Sequence, residues 1–139
     1  MGKSESVNTK VGRGMAYMLI GTGLTHFLFP KPFDGIVPPF LPGDPRIWTY
    51  LSGIAELVIA GLLFISLDKQ FAGKPIRLWG VYGAFVLFLA VFPANIYMAM
   101  EWSSRDFPAP LLAYLRLPLQ LGLFYWVWAL AKEINKITK

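Results

Sequence analysis

The chain contains no cysteine and one histidine, and only 15% of its 139 residues are charged. The missing thiols exclude disulfide staples, thiolate-bound metals and dithiol exchange by this chain itself. A single histidine cannot supply both axial ligands of a bis-histidine haem. With one carboxylate in the long apolar segments, it also falls short of the usual metal ligand sets, so no metal site is expected. No phosphate-cradling glycine loop or hydrolase triad is visible, and internal repeats and low-complexity tracts are lacking. A soluble helical protein would need stripes with a charged outer face, and none of the long apolar stretches has one.

What the chain does have is apolar length. Hydrophobic residues make up 55% of it. They fall into four blocks, Gly14 to Phe29, Trp48 to Leu67, Leu78 to Met100 and Leu111 to Ala131. Blocks of about twenty residues match a hydrocarbon core roughly 30 Å thick. In lipid a lone apolar segment satisfies its backbone only as a helix. The expectation is an all-α integral membrane four-helix bundle over residues 14–139, preceded by a polar tail over 1–13. No small-residue cleavage site follows the first apolar run, so that run is expected to be retained.

The formal net charge of +5 reads as topology rather than as a nucleic-acid footprint. If the helices alternate in direction, Lys3, Lys10, Arg13, Lys69, Lys74, Arg77, Lys132, Lys136 and Lys139 flank one side. Lys31, Arg46 and Arg105 flank the other. Excess Lys and Arg mark the cytoplasmic face, which puts both termini inside, in a bacterial cytoplasmic membrane. Trp48, Tyr50 and Trp102 then lie at an outer aromatic belt. The segment Ile36 to Pro42 carries three prolines and is too short to span, so it reads as an interfacial or re-entrant cap. Asp68 to Lys74 reads as a short inner loop. Pro93 and Pro118 fall inside spans and are expected to free the carbonyls of Leu89 and Tyr114.

Against this background, polar residues inside the apolar blocks stand out: His26, Glu56, Asn95, Arg116 and Gln120. Ionisable groups within spans are costly and mark functional sites. At 1.5 Å per residue they lie roughly 6 to 14 Å from the outer ends of their spans, all in the outer half. Thr22 with His26, Ser52 with Glu56, and Arg116 with Gln120 are spaced i, i+4, which stacks each pair on one helix face. Gly21, Gly23, Gly53 and Ala94 beside them permit close helix approach. An ion pair between Glu56 and Arg116 is the strongest single expectation, since each charge alone costs about 2.5–3.5 kcal/mol or more at mid-bilayer. The bland reading of the same residues is polar glue between helices, and for Asn95 and Gln120 it is the stronger one.

The stretches Thr25-His26-Phe27-Leu28-Phe29-Pro30 and Ile36-Val37-Pro38-Pro39-Phe40-Leu41-Pro42 resemble the first signature of the DoxX-like family of small four-span membrane proteins. Ser52-Gly53-Ile54-Ala55-Glu56-Leu57, Phe92-Pro93-Ala94-Asn95-Ile96-Tyr97-Met98-Ala99 and Arg116-Leu117-Pro118-Leu119-Gln120 resemble its later motifs. The resemblance implies an accessory or quinone-linked subunit of a membrane redox system, with a quinone or lipid as ligand and a redox enzyme as partner. It leaves open whether the chain is itself an enzyme, and it is compatible with a homo-oligomer. A ligand-binding or polar-network site is expected at His26, Ser52, Glu56, Asn95, Arg116 and Gln120. Phe92, Tyr97, Tyr125 and Trp126 are candidates to line a tail path. A chaperone-like binding or assembly protein is the alternative. Transport of a proton or small anion ranks third, because the inner halves of the spans hold no comparable polar chain.

Overall fold

A computed structural model describes residue 10 and residues 12–139. The expected tail over 1–13 therefore lies largely outside the described residues. Among the described residues helix accounts for 76% in five helices, so the all-α expectation holds. They are α1 (Arg13–Leu28), a short α2 (Pro30–Asp34), α3 (Pro45–Phe64), α4 (Ile76–Trp102) and α5 (Ala109–Ile137). Between α3 and α4 two short strands, β1 (Gln70–Phe71) and β2 (Lys74–Pro75), pair antiparallel.

Local chemistry sets the helix boundaries. The Asp44 side chain accepts the Arg46 backbone N–H at 2.8 Å, and Pro45 fills the first helical position. Such a cap and a pre-set proline φ start α3 three residues before Trp48, where apolarity alone suggested its start. At Phe29 the backbone leaves helical geometry, at φ −134° and ψ 67°, which ends α1. The prolines that follow then occupy the first turn of α2, where a missing N–H costs nothing. In the connection between α3 and α4, Ala72 and Gly73 both have positive φ, at 52° and 76°. That is the signature of a two-residue type I′ turn, so the expected loop folds as a hairpin.

The four long helices alternate in direction. On α1 and α3, Gly23 faces Glu56 and Leu57, while Gly53 faces His26 and Phe27. Gly80 and Gly83 of α4 meet Leu63 and Ile59 of α3. A Cβ on Gly14 would lie 3.3 Å from the Trp126 ring, so the start of α1 also meets α5. Gly21 meets nothing within 4 Å and takes no part in close approach.

One end of this assembly is a dry core. Met15, Leu19, Leu63, Leu78, Val81 and Ile134 are each at most 1% exposed and pack together. A smaller apolar cluster at the other end joins Ile36 to Met98, Ala99 and Ala113. Through Ile36 the proline-rich connection therefore caps that end. Outward faces are covered by large apolar side chains, among them Leu24, Leu51, Val58, Val86, Leu115 and Leu119. Pro45–Phe64 and Ile76–Trp102 are long and apolar enough to cross a membrane.

Candidate functional site

Between the two apolar clusters lies a polar layer with two parts. In one, the close contact of α1 and α3 at Gly23 and Gly53 brings His26 beside Glu56. His26 Nε2 stands 3.6 Å from Glu56 Oε2, within reach of an ion pair and too long for a good hydrogen bond. The side chains are 10% and 13% exposed. His26 Nδ1 and Glu56 Oε2 are buried without a hydrogen-bond partner among the described residues. Above them the Phe33 ring of α2 stacks on the imidazole, with centroids 3.9 Å apart and planes 22° apart. Ser52 is half-buried one turn before Glu56.

The second part is an amide pair between α4 and α5. Asn95 Nδ2 donates to Gln120 Oε1 at 2.8 Å, and Gln120 Nε2 donates to the Phe88 carbonyl, also at 2.8 Å. Both side chains are buried. Gln120 thus reaches a carbonyl one residue before Leu89, which the Pro93 kink was expected to free. Each amide thus has a partner within the protein, as buried polar side chains commonly do.

Arg116 bridges the parts only loosely. Its Nη1 donates to the Met98 sulfur at 3.6 Å. No Glu56–Arg116 pair within 4 Å occurs among the ion pairs of the described residues; the carboxylate that Arg116 was expected to hold lies instead beside His26. The expected Thr22–His26 stripe is also broken. Thr22 is exposed and donates to the Met18 carbonyl of its own helix. Of the candidate tail-lining aromatics, Tyr125 faces outward at 67% exposure.

Two polar clusters were missed by reasoning from sequence. Asp34 Oδ1 accepts from Thr49 Oγ1 at 2.6 Å, and its Oδ2 accepts from Arg46 Nε at 2.8 Å. Arg46 Nη2 lies 2.8 Å from the same oxygen, a two-pronged contact that fastens α2 to α3. Burial pushes the Asp34 carboxyl up, but the bonds from Thr49 and Arg46 outweigh it and hold the group below the usual carboxylate value. Arg46 and Thr49 sit i, i+3, the one sequence signal that both could serve a single acceptor. At the opposite end Arg77, counted above with the flanking cations, is only 2% exposed. Its Nε donates to the Ile65 carbonyl at 2.8 Å, closing the end of α3.

With this geometry in view, residues 15–131 match the family described as Domain of unknown function (DUF8561). The chain belongs to that family. The matched region begins in α1 and ends within α5, so it spans both parts of the polar layer and the α2 segment above it. No curated protein and no solved structure matches this DUF8561 chain.

Proposed function

We propose that this DUF8561 protein is a four-span membrane protein, with both termini cytoplasmic, that binds a small ligand at His26 and Glu56 in the outer half of the membrane. The best-supported ligand is a quinone head group, and the role is that of an accessory subunit to a membrane redox enzyme. Apolar outward faces on all four long helices support lipid as the surrounding medium. The apolar layer beneath the site supports a pocket closed toward the cytoplasm.

The observation that carries the ligand reading is that His26 Nδ1 and Glu56 Oε2 are buried with no hydrogen-bond partner among the described residues, Glu56 Oε2 having only the 3.6 Å approach of His26 Nε2. A buried polar group without a partner costs roughly 1–3 kcal/mol, a cost that a bound ligand removes. A quinone would supply a two-electron, two-proton carrier. His26 would donate an N–H to its carbonyl oxygen, and Glu56 would accept a proton from the hydroxyl of the reduced form. The chain has no electron carrier of its own, so a partner enzyme takes or supplies the electrons. The DoxX-like motifs support the same assignment, because they contain these residues.

The test is titration of the purified protein in lipid nanodiscs with decylubiquinone, followed by tryptophan fluorescence. Saturable binding, weakened at least about tenfold in His26→Ala and Glu56→Gln, is expected; about tenfold corresponds to 1.4 kcal/mol, one lost hydrogen bond. A folded protein that never saturates sinks the reading. Phe40 and Phe107, 74% and 80% exposed in the two outer connections, favour a second reading as an assembly protein. Co-purification with one defined membrane enzyme whose activity survives Glu56→Gln would select it.

A further inference from the structure

The cover over the dyad is built differently from the rest of the protein. Helix α2 has five residues, none of them buried, so its own packing does not hold it in place. Three attachments do: the Phe33 ring on His26, the Asp34 contacts to Arg46 and Thr49, and the burial of Ile36 just beyond it. The Asp34–Arg46 contact is partly exposed, with side chains at 23% and 38%. Ion pairs that water can reach are weak and easily exchanged. At its other end α2 starts directly after the helix break at Phe29. An open, largely apolar groove of about 350 Å³ runs along its flank, lined by Leu28, Phe29, Pro30, Lys31, Pro32 and Arg46. The cover therefore has a break on one side, an anchor at Ile36 on the other, free volume beside it, and a polar fastening.

We propose that α2 is a lid over the His26–Glu56 site, with Phe33 as its plug and the Asp34–Arg46–Thr49 cluster as its latch. Opening pivots α2 between Phe29 and Gly35 while Ile36 stays seated among Met98, Ala99 and Ala113. Phe33 then leaves the imidazole, and the dyad becomes accessible from the outer side through the groove. The lid rests on the reading of His26 and Glu56 as a ligand site, and it makes Asp34 and Phe33 determinants of access rather than of binding.

The single histidine offers a clean probe, since diethyl pyrocarbonate acylates unprotonated imidazole and only one site exists. The rate of His26 modification is measured by peptide mass spectrometry on the full chain in nanodiscs, with no quinone present. Asp34→Ala and Phe33→Ala are each expected to raise the rate about tenfold, the ratio produced by about 1.4 kcal/mol of lost closure. Rates equal to the parent in both variants overturn the lid.

A second arm guards against simple unfolding. The chain lacks cysteine, so Asp34→Cys with Thr49→Cys provides its only thiols, at positions whose side-chain oxygens now approach to 2.6 Å. The oxidised, cross-linked form should label at least about tenfold more slowly than the reduced form. Equal rates in the two redox forms overturn the proposal, even if the single variants label faster. Because labelling needs no ligand, a lid that opens as described in a protein that binds no quinone would refute the ligand and leave the lid standing.

Discussion

Replacing Gly53 with alanine tests the geometry on which the site depends. A Cβ at this position would lie 2.7 Å from Phe27 Cε2, 2.9 Å from His26 Cβ and 3.1 Å from the Gly23 carbonyl oxygen. Carbon pairs are comfortable at about 3.5–4.0 Å, so the overlaps reach roughly 0.6 Å and more. The Phe27 ring is 37% exposed and can swing aside. His26 Cβ and the Gly23 carbonyl cannot, because both are fixed to the α1 backbone, so the two helices must part. Overpacking of this kind costs typically about 1–3 kcal/mol. Alanine recovers up to about 1 kcal/mol through helix propensity, leaving a net loss of roughly 0–2 kcal/mol. Gly61, in the same helix, meets nothing within 4 Å and isolates the propensity effect. Reversible unfolding by sodium dodecyl sulfate in mixed micelles should therefore show Gly61→Ala neutral or stabilised. Gly53→Ala should be about 1–3 kcal/mol less stable than Gly61→Ala, the overpacking difference. Equal shifts for the two variants would refute the close approach of α1 and α3 at His26.

Two further perturbations address the other polar clusters. Gln120→Leu removes two hydrogen bonds and Asn95→Leu one; a double-mutant cycle in the same unfolding assay should give a coupling of about 0.6 kcal/mol, up to about 1.7, as for other bonds between membrane helices. A coupling of zero would mean that the pair is not formed. The Asp34 carboxyl is held below its ordinary value, so its contribution to stability is full above the unfolded value, about 3.9, and is lost as pH falls through the lower folded value. Asp34→Asn should accordingly flatten the acid limb of stability against pH, measured by thermal unfolding, while an unchanged limb would show that the latch is not formed in solution.

Much of the fold could be read from apolar block length, whereas the bond between Asn95 and Gln120 could not. The count along the spans put Asn95 roughly 8 Å and Gln120 roughly 14 Å deep, yet the two side chains meet. The Glu56–Arg116 pair failed for an identifiable reason. Depth was counted from the ends of the spans as if all ends shared one plane. Yet Gly53 lies opposite His26. From Gly53 to the start of α3 at Pro45 is eight residues, roughly 12 Å, whereas from His26 to the end of α1 is two, roughly 3 Å. Helix α3 thus overhangs α1 by roughly 9 Å, which sets Glu56 beside Gly23, one turn from His26 and within reach of its side chain. The same overhang gives α2 its seat and sets Asp34 against Arg46 and Thr49. Neither the latch nor the stack of Phe33 on His26 could be read from periodicity, because both depend on how far one helix slides along another.

The two halves of the polar layer answer the opening question, glue or site, in opposite ways. Asn95 and Gln120 bond to each other and to the Phe88 carbonyl, which ties α4 to α5. His26 and Glu56 are not hydrogen-bonded in this way. Each keeps a buried polar atom unpartnered among the described residues, although the two side chains lie only 3.6 Å apart. If stability were the only demand on this position, an apolar pair of similar volume would serve as well or better than a half-satisfied ionisable one. The contact of α1 with α3 is already secured by Gly23 and Gly53, so the dyad is not required to bring the helices together. A costly polar pair, redundant as glue and covered by a weakly fastened helix, is what the proposed ligand would account for.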